Sequence, residues 1–327
     1  MLNYIARRLL IMIPTLIAIS ILTFVIIELP PGDYVTSYAQ SLKARGIQIQ
    51  QQQLELLRRE YGLDKPVYQR YFHWMRKLLK GDMGQSFTYG RPVAVLIKER
   101  LPMTMMISII TILFTWAIAL PISLYSAVRQ YTIPDYIFTL VGFVGLSIPN
   151  FFLAIILMYI GYKHFGVSMG GLFSREYLLA SWSWAKFKDL LAHVWVPIIV
   201  IGTAGTAGMI RVLRATLLDE LSKDYVRTAR AKGLAELKLL IKHPLRMAIN
   251  PLISTVGWLL PSVISGEIVT SQVLSLPTTG PLLLGALLNQ DMYLAGSFVM
   301  VLSILTVIGT LISDLALALV DPRIRYD

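Results

Sequence analysis

The chain has 327 residues, of which 55% are hydrophobic and only 15% charged; a soluble globule of that length is not so apolar, so membrane embedding is the default reading. With no cysteine there is no disulfide framework, thiolate nucleophile or cysteine metal site. The formal charge of +11 could address nucleic acid, but no nucleic-acid module accompanies it, and basic residues beside membrane helices report orientation instead.

Crossing the hydrocarbon takes about 20 predominantly apolar residues per helix. Six stretches qualify: residues 9–29, 103–128, 138–162, 194–210, 251–273 and 297–320. The expected fold class is therefore an all-α integral membrane protein with six transmembrane helices. The first stretch follows Arg7 and Arg8 as a secretory signal would, but it exceeds a signal core. No small-x-small cleavage site follows before Pro30 and Pro31, so it reads as an uncleaved anchor.

Residues 30–102 are too polar to enter the bilayer. A polar run, Gln48 to Gln53, leads into Leu54, Leu57 and Tyr61 at helical spacing. Further on, Tyr71, Trp74, Met75, Leu78 and Leu79 make an apolar face opposite Arg70, Arg76, Lys77 and Lys80. This second stretch is either an amphipathic helix lying on the outer membrane surface or part of a small subdomain.

Pro149 interrupts the third apolar stretch and Pro261 the fifth, as static kinks or as points where a helix can rock. The fourth contains Gly202, Gly205 and Gly208 among Thr203, Ala204, Thr206 and Ala207. These small residues permit close helix approach, or they line a path. Trp182, Trp184 and Trp195 flank its outer end as an interfacial belt.

With the N-terminus inside, the short cytoplasmic pieces hold Arg7, Arg8, Arg129, nine Lys and Arg from Arg211 to Arg246, and Arg323 with Arg325. The short outer loops hold four, and the twelve in residues 30–102 lie in a segment long enough to be nearly exempt from the rule. Both termini are therefore expected in the cytoplasm.

No chemistry-bearing constellation emerges. There is no Gly-Lys pair anywhere, so the loop that cradles ATP phosphates is missing, and any ATP hydrolysis belongs to another chain. His73, His164, His193 and His243 lack metal spacing, and no nucleophile elbow is present.

The basic loop from Asp224 to Arg246 is the most specific feature. Asp224 is placed to cap a helix from Tyr225 to Lys232. Gly233 supplies a left-handed turn, a second helix follows over residues 235–242, and Pro244 closes it. Ala229 and Ala231 beside Gly233 leave a shallow surface on which another protein could seat.

This loop resembles the cytoplasmic coupling loop of ABC importer permeases. The generic signature, Glu-Ala-Ala followed by Gly and then Ile-x-Leu-Pro, is matched in part, by Ala229 and Gly233, with Arg227, Thr228, His243, Leu245 and Arg246 at its other positions. The run Tyr225-Val226-Arg227-Thr228-Ala229-Arg230-Ala231-Lys232-Gly233-Leu234 is closer to the dipeptide, oligopeptide and nickel branch. Four further blocks follow in that branch's order: Tyr61 to Val67, Gly81 to Phe87, Glu99 to Thr104 and Ser147 to Phe151. A last one, Leu319 to Tyr326, extends the resemblance over nearly the whole chain.

The resemblance implies a type I ABC importer permease fold: a cytoplasmic N-terminus and first helix over residues 1–29, an extracytoplasmic segment over 30–102, and a five-helix permease core over 103–327 whose coupling loop spans 211–249. It implies a membrane subunit that is not an enzyme and binds no cofactor, with ATP and Mg²⁺ held by two ATPase subunits docked on residues 224–234. The other implied partners are a second homologous permease, most naturally a different chain, and an extracytoplasmic solute-binding protein delivering peptides or oligosaccharides. The implied location is the inner membrane of a prokaryote. Candidate pathway residues are Pro149, Asn150, Ser271 and Glu267. Glu267 stands one helical turn from the branch's usual carboxylate position, Ser271, and either lines the path or bonds a neighbouring helix. The rival reading, an ion-coupled carrier working without an ATPase, would want several buried charges, and the chain offers chiefly Glu267, with Glu28 and Asp314 near helix ends.

Overall fold

A backbone amide inside hydrocarbon finds no water, so a spanning segment closes its hydrogen bonds on itself. The computed structural model describes residues 2–48, 50–166, 169–254 and 268–320, and among these every regular element is helical. The helices before the long basic loop are α1 (Leu2–Glu28), α2 (Tyr34–Ala44), α3 (Gln51–Glu60), α4 (Val67–Leu79), α5 (Val93–Val128), α6 (Ile133–Ser147), α7 (Asn150–Ile160) and α8 (Trp184–Leu221). Then come α9 (Asp224–Ala231), α10 (Glu236–Lys242), α11 (Pro244–Ala248), α12 (Ile268–Val273), α13 (Thr279–Leu288) and α14 (Met292–Val320).

Four segments are long and apolar enough to cross a membrane: Leu10–Glu28, Val93–Val128, Trp184–Leu221 and Met292–Leu317. A fifth is counted if α6 and α7 with its terminal turn, which bend by 100° at their junction, make one span. The expectation of six helices is thus met only in part. The stretch over 251–273 is helical at both ends, but its middle, with Pro261 and Glu267, lies outside the described residues. The stretch over 138–162 is no straight helix. Proline disfavours helical backbone in the residue before it, and Ile148 is extended (φ −91°, ψ 119°), so α6 stops and Pro149 leads into α7.

The chain divides into two compact units. The first joins Met1–Pro102 with Thr278–Val307. Its core starts from Trp74 on α4, 1% exposed, whose ring lies 6.0 Å from that of Phe24 on α1 and covers Gly296 on α14. The Tyr71 hydroxyl lies 2.9 Å from Ser20 Oγ, and Arg70 pairs with Glu28 at 2.5 Å. These contacts join α4 to α1 and α14 within this unit, while its Tyr68, Phe72 and Leu79 stay exposed. A second cluster stacks Tyr34, Tyr61, Phe87 and Tyr293, with the Tyr34 hydroxyl donating to the Phe87 carbonyl at 2.7 Å. Burial, with the neighbouring Tyr61, Asp291 and Tyr38, pushes the Tyr34 hydroxyl up to about 12, so it remains a donor at neutral pH.

Two carboxylates organise the turns of this unit. Asp33 caps α2, accepting from the Thr36 amide at 2.8 Å and hydroxyl at 2.6 Å, and from Arg58 Nε at 2.9 Å. Burial pushes its carboxyl up, but these bonds outweigh it and hold the group below its ordinary range. Asp291, fully buried at the start of α14, accepts from the Ser86 hydroxyl at 2.5 Å and the Thr88 amide at 2.9 Å. The segment it holds passes so close to α14 that a Cβ on Gly84 (φ +76°) would sit 2.5 Å from the Tyr293 ring.

The second unit joins Met103–Pro277 with Ile308–Asp327. The small residues of α8 serve close packing: Gly202 faces Phe114 and Gly205 faces Thr115 on α5, while Thr203 and Ala207 meet Gly145 on α6. Gly208 has open space beside it. Trp182 and Trp184 are exposed, as a belt at a membrane interface would be.

Gly84 makes a direct prediction. Gly84→Ala meets both a ring at 2.5 Å and a backbone that favours glycine, and overpacking alone costs roughly 1–3 kcal/mol. The purified protein should unfold at lower temperature than wild type in a thermal scan in detergent, while Gly90→Ala, with nothing within 4 Å of its added Cβ, should cost less.

Candidate functional site

The basic loop begins where α8 ends. At 38 residues and about 1.5 Å rise each, α8 is longer than the roughly 30 Å of hydrocarbon, and its last turns carry Arg211 and Arg214. Lys223 then breaks the helix with extended backbone (φ −73°, ψ 149°), and α9 starts at Asp224. This corrects the expected capping: Lys223 holds the N-cap position, and the Asp224 carboxylate instead reaches Arg227 at 3.4 Å, on an exposed surface. As an acidic residue in the first turn it still complements the helix dipole.

Gly233 adopts φ +77°, and its amide donates to the Arg230 carbonyl at 3.0 Å, closing α9. The second helix starts one residue later than expected, at Glu236 after an extended Ala235, and Pro244 opens α11 as well as ending α10. A bidentate ion pair across the turn, Arg230 Nε and Nη2 to Glu236 at 3.1 and 2.6 Å, holds the two helices in register. Arg230 keeps the Glu236 carboxyl below its ordinary range.

One face of this helical pair is buried. Val226, Ala229, Leu239 and Leu240 form a cluster completed by Leu124 of α5, Leu221 of α8 and Leu234. Leu124 and Leu221 also join a second cluster, with Ala127, Leu217, Ala248 and Leu245, that seats α11. The other face is free: Tyr225, Arg227, Thr228, Arg230, Ala231, Lys232 and Gly233 are exposed, as are Leu237 and Ile241 on α10. The Tyr225 hydroxyl donates to Glu220, which also accepts from Lys223 at 2.5 Å. Burial and Glu220 both push that hydroxyl upward, so it stays protonated.

Beneath the seat lies an ion pair that reading the sequence missed. Asp135, in the first turn of α6 and 3% exposed, accepts from the Tyr131 amide at 3.0 Å and from Arg214 of α8 at 3.1 Å. An acidic residue in a first turn was a visible signal, but its partner stands 79 residues away.

Of the candidate pathway residues, Pro149 and Asn150 stand at the bend between α6 and α7. Ser271 is buried on α12, which packs along α7. Glu267 lies outside the described residues. Among the described residues no group of His, Asp and Glu could hold a metal ion.

Comparison with known proteins agrees with this geometry. Residues 119–326 match the family described as "Binding-protein-dependent transport system inner membrane component", and residues 1–108 match the one described as "Binding-prot-dependent transport system membrane comp, N-term". The chain therefore belongs to the binding-protein-dependent transport system inner membrane components, and among these to the ABC importer permeases of the peptide branch. It is 37% identical over 325 residues to the oligopeptide transport system permease protein AppB of Bacillus subtilis, covering 99% of both chains. It is 32% identical over 342 residues to the dipeptide transport system permease protein DppB of Escherichia coli K12, covering all of this chain and 99% of the relative. The glutathione transport system permease protein GsiC of Escherichia coli O6:H1 is 32% identical over 326 residues, the full length of both.

The buried ion pair can be tested by its asymmetry. The Asp135 side chain is 4% exposed and that of Arg214 30%, so removing the arginine strands the more buried charge. Arg214→Met should therefore lower thermal stability more than Asp135→Asn, by about 1–3 kcal/mol for the group left unsatisfied. Equal losses in calorimetry would show that the pair is not what holds α6 to α8.

Proposed function

We propose that this chain forms half of the translocation pathway of an ATP-driven peptide importer, pairs with a second, homologous permease, and receives peptides from an extracytoplasmic solute-binding protein. Two ATPase subunits, which hold ATP and Mg²⁺, dock on residues 224–234 from the cytoplasm and drive the permease between outward- and inward-open states. The location is the inner membrane of a prokaryote, with both termini cytoplasmic.

One observation carries the reading. The loop over residues 224–246 is anchored by fully buried Val226 and Leu239, yet it turns Tyr225, Arg227, Thr228, Ala231 and Lys232 outward, in a chain with no phosphate-binding loop of its own. A rigid seat under an exposed, charged, small-residue surface fits a docking element. Lipid headgroups alone would not require the ordered pair of helices. The printed substrates of the relatives, oligopeptides, dipeptides and glutathione, favour peptides over oligosaccharides as the solute. The family match favours an importer over an ion-coupled carrier.

Gly233 tests the coupling role cleanly. A Cβ there would meet nothing within 4 Å in this chain, so Gly233→Val disturbs the loop's own fold only through the backbone, where left-handed φ costs a β-branched residue about 1–2 kcal/mol or more. The variant should insert and assemble but lose most of its solute-stimulated ATP hydrolysis in liposomes; wild-type stimulation would remove residues 224–234 from the transmission path. Sidedness has its own test, since the chain is free of cysteine. A single cysteine at exposed Gln52 should react with an impermeant maleimide in intact cells, and one at exposed Lys238 only after permeabilisation. The reverse pattern would invert the topology.

A further inference from the structure

The first compact unit contains a cavity of about 480 Å³ that nothing in the importer reading uses. Its floor is aromatic, from Tyr61, Phe87 and Tyr293. Its walls are basic: Arg59, Lys65, Arg70 and Lys77 line it together with His73, against a single acidic residue, Glu60. Arg70 is committed to Glu28 at 2.5 Å, although its Nε is buried without a partner. The Lys77 ammonium lies over the Tyr293 ring at 5.6 Å. Among the described residues neither Arg59, Lys65 nor Lys77 is paired with a carboxylate. The excess is general to the segment, since residues 30–102 hold twelve Lys and Arg against six Asp and Glu.

Like charges gathered around one concavity repel one another and attract an anion. The size fits a short stretch of polypeptide, and the aromatic floor suits the apolar stem of a side chain that carries a charge. Because the positive excess extends over the whole segment, the partner is a protein surface of opposite sign, steered in by the field before it docks. We infer that this pocket seats an acidic protrusion of the extracytoplasmic solute-binding protein, which places at least one carboxylate among Arg59, Lys65 and Lys77.

The inference rests on the importer reading, and its test separates the two. The assembled complex is placed in nanodiscs of zwitterionic lipid, and binding of the importer's solute-binding protein is followed by interferometry at low and at physiological salt. Arg59→Glu with Lys65→Glu, both on exposed positions, should weaken binding at least about tenfold at low salt, chiefly through the on-rate, and should flatten the salt dependence. Arg59→Lys with Lys65→Arg, which keeps the charges, should restore it. A short glutamate-rich peptide should compete with the wild-type complex and not with the reversed one. Equal affinity and equal salt dependence in wild type and the charge-reversed form would overturn the pocket assignment while leaving the importer intact. So would a loss seen only for nanodiscs containing anionic lipid, which would mark a headgroup site. A wild-type complex that neither binds the protein nor imports peptide would overturn the importer reading, and this inference with it.

Discussion

The constraint on which the rest depends is that polar backbone must be satisfied wherever water is absent. It makes α1, α5, α8 and α14 continuous helices, and among the described residues it governs the break in the apolar stretch at Ile148 and Pro149. At Ile148 and Pro149 the proline has no amide to leave unpaired, and α7 restarts with the amides of Phe152 and Leu153 both donating to the Pro149 carbonyl. The chain can therefore bend by 100° there at little cost in hydrogen bonds. The bend arises from the same rule that keeps the other spans helical.

The same constraint decides where buried charge is tolerated. Asp291 and Asp135 are both nearly inaccessible, and each accepts from backbone amides as well as from a side chain. Asp291 gathers the turn after α4 onto the start of α14 with hydroxyl and amide donors. Asp135 uses a guanidinium, and so ties α6 to α8. A buried carboxylate is costly alone and specific when paired, which is why each fixes a register that apolar packing would leave free to slide.

How much of this was legible in the sequence depends on the range over which a residue acts. Gly233 declared its left-handed turn because glycine's advantage at positive φ is a property of one residue, and the four long spans followed from composition alone. The stripe from Gly202 to Gly208 announced close packing, though not that it would serve α5 on one side and α6 on the other. Asp224 misled, because a capping residue is identified by where the helix starts. Extended backbone at Lys223 set that start one residue earlier. The pairs Asp135 with Arg214 and Ser86 with Asp291 were illegible, being 79 and 205 residues apart with no local pattern linking them. The direction of the bend at Pro149 was equally hidden, since proline fixes its own φ and leaves the packing partner to decide the rest.

These features bear on how a force applied to the basic loop would travel. Val226 and Leu239 press on Leu124 and Leu221, so the loop is clamped to α5 and α8 together. From the end of α8 the rigid helix carries any displacement to Arg214, whose grip on Asp135 hands it to the first turn of α6. α6 in turn ends at the bend before α7, where the backbone has already given up helical continuity. Seat, helix and ion pair thus form one continuous chain of packed elements from residues 224–246 to the bend at Ile148 and Pro149.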